Sequence, residues 1–379
     1  MIYWRLSGFY LFYFATLGAL VPYWGLYLKS LDFSVSQIGE LVAILMATKI
    51  VAPNIWGWIA DHTGRRISIV RIASLLAAIA FAGVFVSHHY WWLALVMTVF
   101  SFFWNASLPQ FEATTMSHLG SNTHHYSGIR LWGSVGFIVA VAGLGPALGA
   151  YGTALLPWVL LVLFAGIWLS SLLVPESAAG HLPLDQESLA KVLKRPVVFS
   201  LLLVSFLVQM SHGPYYVFFS IYLENYGYST ALIGQLWALG VLAEIGVFLL
   251  MPVLLPRYGA RTLLLVAVIL TMLRWLLVAG FADNLVIIAF SQLLHAASFG
   301  LYHVVVIFLI HRLFTGAHQG RGQALYSSLS FGAGGAFGSL ASGYLWSGIG
   351  PQAMYLLAAG AALCALFVVF LGIRDLPEA

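Results

Sequence analysis

Charge is what this sequence has least of. Of 379 residues, 16 are Lys or Arg and 12 are Asp or Glu, a charged share of 7%, against roughly 25% in a soluble domain. A water-soluble chain of this length must cover its surface with polar side chains. This one lacks them: 61% of its residues are hydrophobic and the mean hydropathy is +0.96. Lipid is therefore the solvent for most of it. Cysteine is also scarce. The single Cys364 offers no disulfide partner and carries no information about redox compartment. No nucleophile constellation or metal-ligand set occurs. The histidines of "SHHY" (87–90) and "NTHHY" (122–126) have no further ligands nearby, so neither an enzyme, a metal site nor a cofactor is expected. "FGAGGAFGSLASG" (331–343) lacks the strand–turn–helix setting of a phosphate loop, and its small residues at four-residue spacing suit close helix packing instead.

What is present is a series of apolar runs long enough to cross a bilayer, which takes about 20 residues. Twelve are expected, at 6–28, 37–59, 67–87, 91–116, 126–150, 153–174, 197–223, 230–253, 261–282, 285–311, 322–347 and 351–373. Backbone amides in hydrocarbon must be satisfied internally, and runs this long do so as helices. The fold class is thus an all-α membrane protein of twelve transmembrane helices. The first run starts almost at Met1 with no small-residue cleavage site after it, and reads as a retained span. With both termini in the cytoplasm, Arg5, Arg65, Arg66, Arg71, Lys191, Lys194, Arg195, Arg257, Arg261, Arg312, Arg321 and Arg374 fall at cytoplasmic ends and Lys29 alone falls outside. That asymmetry fixes the orientation by the positive-inside rule. The formal net charge of +4 is then a topology signal and not a nucleic-acid footprint.

One long polar break, "VPESAAGHLPLDQESLAKVLKRP" (174–196), divides the runs six and six. It predicts an N-terminal bundle over 1–174, a cytoplasmic linker over 175–196 and a C-terminal bundle over 197–379. The halves repeat. "YLKSLDFSVSQIGEL" (27–41) aligns with "YLENYGYSTALIGQL" (222–236) at an offset of 195 residues, which also carries Gly64 and Arg66 onto Gly259 and Arg261. "GIRLWGSVGF" (128–137) is similar to "GQALYSSLSF" (322–331) at an offset of 194. Duplication implies two six-helix bundles related by a pseudo-two-fold axis.

Between the second and third runs lies "GWIADHTGRR" (57–66). It resembles the signature loop of the major facilitator superfamily. The resemblance implies a conformational latch formed by Gly57, Asp61, Gly64, Arg65 and Arg66, with Gly57 at a close packing point and Asp61 pairing across the bundle. The second-half copy is degenerate, with Pro256 where the Asp would stand.

Ionisable side chains within the spans are costly, about 2.5–3.5 kcal/mol each on insertion scales, and mark functional positions. Glu112 and Arg130 stand nine residues to either side of Ser121, hence roughly 14 Å from one turn. Glu244 and Arg274 straddle Gly259 at fifteen residues each, and Arg274 and His295 are equally far from the turn at 283–285. Lys49 corresponds to Glu244 by the repeat offset. These six groups are expected to share one mid-membrane layer.

"GIRLWGSVGF", "GVLAEIGVFL" (240–249) and "LRWLLVAG" (273–280) resemble the phenylpropionic acid permease branch, which is related to the lactose permease and nucleoside–proton symporter groups. Glu112 and Arg130 match the sugar-binding pair of the lactose permease group, and Glu244, Arg274 and His295 match its charged residues of helices eight to ten. The Glu that follows the His by one turn in that group is Ser298 here, which makes Glu244 the leading proton carrier. The resemblance implies a bacterial inner-membrane secondary transporter, acting as a monomer on a small-molecule substrate and protons by alternating access. The expected substrate is a small organic anion, an aromatic carboxylate such as phenylpropionate. Arg130 and Arg274 are expected to contact the carboxylate, Lys49 to assist, and Glu112, Trp132, Phe137 and Tyr215 to complete the substrate site. Glu244, His295 and Glu112 are the proton-coupling candidates. A proton symporter for a sugar or nucleoside, and a drug/proton antiporter, are the alternatives. "QMSHGPYY" (209–216) places Gly213-Pro214 inside the seventh run and predicts a kink there.

Overall fold

The computed structural model of the chain describes residues 2–120, 122, 125–176, 189–314 and 318–374. Most of the expected linker, at 177–188, lies outside the described residues. Regular structure among the described residues is entirely helical: α1 (Ile2–Ser30), α2 (Val35–Thr63), α3 (Arg66–Phe81), α4 (Tyr90–Leu119), α5 (Tyr126–Tyr151), α6 (Leu155–Leu172), α7 (Leu189–Leu193), α8 (Pro196–Ser211), α9 (Gly213–Asn225), α10 (Thr230–Gly280), α11 (Leu285–Leu293), α12 (Tyr302–Leu313), α13 (His318–Ser327) and α14 (Gly335–Gly372). Two π-helical stretches, Ala296–Leu301 and Ser328–Gly334, join α11 to α12 and α13 to α14. Ten of the helical runs are long and apolar enough to cross a membrane. Two are unusually long, Thr230–Gly280 and Gly320–Gly372. Each is broken by a glycine outside the helical region, Gly259 (φ 73°, ψ 156°) and Gly350 (φ 84°, ψ 166°).

Local sequence explains where helices start and stop. Ser34 caps α2 with a reciprocal box: its Oγ accepts from the Gln37 amide at 3.3 Å, and its own amide donates to Gln37 Oε1 at 3.0 Å. Gly64, at φ 66°, ends α2 in the left-handed region that a Cβ disfavours. The same devices recur 195 residues later. Ser229 Oγ accepts from the Leu232 amide at 3.3 Å. Left-handed Asp32 (φ 61°) and Gly64 have counterparts in Gly227 (φ 83°) and Gly259.

The chain divides into two compact units, Met1–His181 with Gly227–Ala238, and Leu182–Tyr226 with Leu239–Ala379. In the first, α1 lies directly on α5. A Cβ on Gly18 would strike the Phe137 backbone, and one on Gly136 would strike that of Leu11. Phe9 and Phe111 stack at 3.7 Å in its core. In the second, Gly334 and Gly338 face the backbone of Phe206 and Met210, and Gly213 faces that of Gly338. The small-residue run at 331–343 therefore serves helix packing, as its spacing predicts. The seventh run is interrupted at His212, between α8 and α9, next to the Gly213-Pro214 step.

The "GWIADHTGRR" loop folds differently from the expectation for two of its residues. Asp61 pairs within the loop, accepting from Arg66 Nη2 at 2.9 Å, because the tight Gly64 turn brings the start of α3 back to it. A Cβ on Gly57 would meet Gln110 Nε2 at an ordinary 3.6 Å, so the packing there does not require glycine. Arg65 is exposed at the head of α3. The first turn of α3 is closed from a distance by Glu176, whose carboxylate accepts from the amides of Ile67 (2.9 Å) and Ser68 (3.1 Å) and from Ser68 Oγ (3.0 Å). Arg71 returns the favour at the end of α6, donating to the carbonyls of Ser171 and Val174. Helix amides left open at an N-terminus cost about 1 kcal/mol when a cap is lost. Glu176→Ala is expected to lower stability by up to about that amount, read as a small drop in the detergent melting temperature with transport retained.

Candidate functional site

Five of the six ionisable residues expected in the mid-membrane layer fall into two clusters, one within each unit, with Lys49 apart from both. In the first unit, α4 supplies Glu112 and α5 supplies Arg130. Arg130 Nε lies 3.9 Å from Glu112 Oε1, and each side chain is about a third exposed (33% and 32%). The guanidinium lies over Phe14 of α1, with Cζ 3.8 Å from the ring centroid, and 5.6 Å from that of Tyr10. Gly133, one turn after Arg130, leaves this space open: a Cβ there would overlap Arg130 Nη1 and the Phe14 ring. Tyr126 faces Glu112, and Tyr10 donates to Thr115 Oγ1 at 3.3 Å. The result is a cation stacked on an aromatic platform, with a carboxylate and phenols around it.

Sequence reasoning missed Phe14, Tyr10 and Tyr126. A signal was present, since Tyr126 precedes Arg130 by four residues and Tyr10 precedes Phe14 by four, which places each pair on one helix face. Two residues expected at the substrate have these surroundings. Trp132 Nε1 donates to Tyr3 Oη at 3.3 Å and its ring sits 5.5 Å from Trp4, because two residues along a helix rotate it away from the Arg130 face. The Phe137 backbone forms the crossing with Gly18. Lys49 is partly buried in α2, and among the described residues no carboxylate pairs with it. Its neighbour Thr48 anchors a polar network with Asn105 (2.9 Å) and Ser101 (2.9 Å) of α4.

The second cluster is closed. Arg274 is wholly buried, and His295 and Glu244 nearly so. Arg274 Nη1 donates to His295 Nδ1 at 2.8 Å and to Ser298 Oγ at 3.0 Å, and Nη2 donates to Gln292 Oε1 at 3.3 Å. His295 Nε2 lies 2.7 Å from Glu244 Oε1. Guanidinium has donors only, so Nδ1 accepts and the imidazole proton sits on Nε2, aimed at Glu244. The imidazole thus stands between Arg274 and Glu244. The guanidinium carbon also lies close to two rings, 4.1 Å from the Tyr215 centroid and 4.6 Å from that of Trp275. Tyr215, expected at the substrate, is fully buried and donates to Gln292 Oε1 at 2.9 Å. It braces Arg274 in this conformation. Gln292 was missed, although its place three residues before His295 puts both on one face. Ser298, noted for the carboxylate it lacks, serves as a hydrogen-bond acceptor for Arg274.

The MFS_1 like family matches residues 3–357. A protein of Escherichia coli (strain K12) described as a probable 3-phenylpropionic acid transporter is 29% identical over 390 residues, covering 99% of this chain and 98% of that protein. The maltose permease of Geobacillus stearothermophilus is 28% identical over 380 residues, covering 96% and 92%. Among solved structures, that of a mutant of the nucleoside transporter NupG superposes with a TM-score of 0.87 at 17% identity, covering 99% of this chain and 100% of that one. At that identity the likeness concerns the fold.

Proposed function

Because the chain belongs to the MFS_1 like family of major facilitator transporters, which are membrane carriers and not enzymes, we propose that it takes up a small aromatic carboxylate together with protons by alternating access. Counting the runs broken at Gly259 and Gly350 as two spans each gives twelve, in two duplicated six-helix bundles over 1–174 and 197–379 with both termini in the cytoplasm of a bacterial cell. The observation that carries the substrate class is Arg130. It is a partly exposed guanidinium resting on the Phe14 ring, next to two phenols. Such a group binds a carboxylate through paired N–H donors, and the surrounding rings offer stacking to an aryl substituent. The E. coli relative described as a probable 3-phenylpropionic acid transporter supports the same class.

Proton coupling is assigned to Glu244 and His295. His295 Nε2–H points at Glu244, while Arg274 holds Nδ1. When the guanidinium is drawn to a substrate anion, Nδ1 is released and the imidazole can take a second proton, so that binding of anion and proton favour one another. The Glu112–Arg130 contact favours a second reading, a proton symporter for a sugar or nucleoside, since a neutral hydroxylated ligand uses donor and acceptor together. Competition for uptake in proteoliposomes separates the two. Phenylpropionate, and not a galactoside or nucleoside, is expected to be taken up, with alkalinisation of the external medium. Uptake of a galactoside or nucleoside without phenylpropionate uptake would reverse the substrate assignment.

A further inference from the structure

The second unit holds another buried polar cluster, one and a half to two turns along the chain from the Glu244–His295 pair. His303 follows His295 by eight residues, and Phe299 lies between them, nearly parallel to both rings (5.6 Å and 19° from His295; 5.9 Å and 8° from His303). His303 Nδ1 is hydrogen-bonded to the Tyr326 hydroxyl at 3.0 Å. Tyr326 is itself buried, at 1% exposure, and faces Tyr302 and Ser330. The Tyr302 hydroxyl and Ser330 Oγ are fully buried, and among the described residues neither has a hydrogen-bond partner of good geometry, although Ser205, Ser330 and Tyr326 lie close to Tyr302. Tyr216 completes the series. It is within electrostatic reach of Glu244, Arg274 and Tyr302.

Both π-helical stretches meet this cluster. Tyr302 directly follows Ala296–Leu301, and Ser330 lies inside Ser328–Gly334. A π turn changes the angular position of each side chain after it and is costly, which is why such turns concentrate at functional sites. Two of them meet at one polar cluster inside an apolar bundle. Buried hydroxyls without protein partners are satisfied by internal water. A stability role would be served better by apolar side chains of similar shape.

We propose that Tyr216, Tyr302, Ser330, Tyr326 and His303 form a hydrated relay through which the Glu244–His295 pair exchanges its proton with the side of the membrane where α12 ends. This rests on the reading above that Glu244 and His295 carry the proton. The transfer is balanced at every step. The carboxyl of Glu244 gives its proton to a water; each hydroxyl in turn accepts one proton on a lone pair and releases its own; His303 takes the proton on one ring nitrogen as it gives up one toward the end of α12. Glu244 is left as a carboxylate, and each hydroxyl and His303 returns to its starting charge after the proton has passed. The hydroxyl rotors suit this task because Ser and Tyr oxygens both donate and accept.

Tyr326→Phe and Tyr302→Phe keep ring and volume and remove only the hydroxyl. The test compares two rates in proteoliposomes loaded with phenylpropionate as probe: net substrate-driven proton flux, and equilibrium exchange, in which the carrier need not lose its proton. Each variant is expected to slow net flux by about tenfold or more, the scale of a lost positioned proton-transfer group, with exchange unchanged. The solvent deuterium isotope effect on net flux is expected to rise. Ser330→Ala, a smaller change, is expected to act in the same direction. Net flux and isotope effect at wild-type values in the Tyr302→Phe/Tyr326→Phe double variant would overturn the relay while leaving Glu244 as carrier. Absence of proton movement in the wild type would instead remove the parent reading and the relay with it.

Discussion

Glu244→Gln is expected to abolish concentrative uptake, the accumulation ratio falling to about one, while exchange of substrate across the membrane continues. Coupling is a free energy shared between the proton site and the substrate site, and it vanishes when one site can no longer change protonation. The Gln variant is informative because it preserves the local geometry. Its carbonyl oxygen can still accept from His295 Nε2–H, which lies 2.7 Å from the Glu244 carboxyl oxygen. Glu244→Ala removes the acceptor too and leaves a buried N–H unsatisfied, at a cost of about 1–3 kcal/mol. Lost accumulation in both variants, with reduced melting temperature only in the Ala variant, would separate coupling from stability. Wild-type accumulation in Glu244→Gln would remove Glu244 from the mechanism.

The second large effect is expected at Arg130. Arg130→Lys keeps the charge but loses the planar fork that stacks on Phe14 and that can hold both oxygens of a carboxylate. Hydrogen bonds to charged groups contribute about 1.5–3 kcal/mol each. Loss of two therefore weakens phenylpropionate binding by roughly 10²- to 10⁴-fold, since about 1.36 kcal/mol corresponds to tenfold. The partner variant decides between substrate classes. Glu112→Gln removes a negative charge close to the guanidinium, and an anionic substrate should tolerate it or bind more tightly. A sugar or nucleoside that needs the Glu112 acceptor should lose transport with that variant. Binding measured by equilibrium dialysis on the purified variants reads both outcomes, and equal losses of phenylpropionate affinity in Arg130→Lys and Glu112→Gln would argue against a carboxylate held by Arg130.

Much of this was legible before the structure. Hydropathy is a local property, and lipid enforces it strictly, so the apolar runs, their turns and the helix-ending Gly64 and Gly259 could be placed by inspection. The repeat predicted matching turns, and the left-handed backbone at Asp32 and Gly227, and at Gly64 and Gly259, agrees with it. The same economy of charge singled out Glu112, Arg130, Glu244, Arg274 and His295, because few side chains survive in hydrocarbon without a reason.

Depth along a helix can be counted from a sequence, whereas direction around its axis and choice of rotamer depend on neighbouring helices. Counting residues therefore determined the membrane fold, its glycine-marked turns and the short roster of ionisable groups. Only tertiary packing decided that those groups fall into two clusters and that His295 stands between Arg274 and Glu244. Packing likewise turned Trp132 toward Tyr3 and Trp4, folded Asp61 onto Arg66, and brought His303 to Tyr326. The reason is physical: a hydrogen bond needs atoms within about 3 Å and correctly aimed, and that precision is set by how side chains from separate helices interlock.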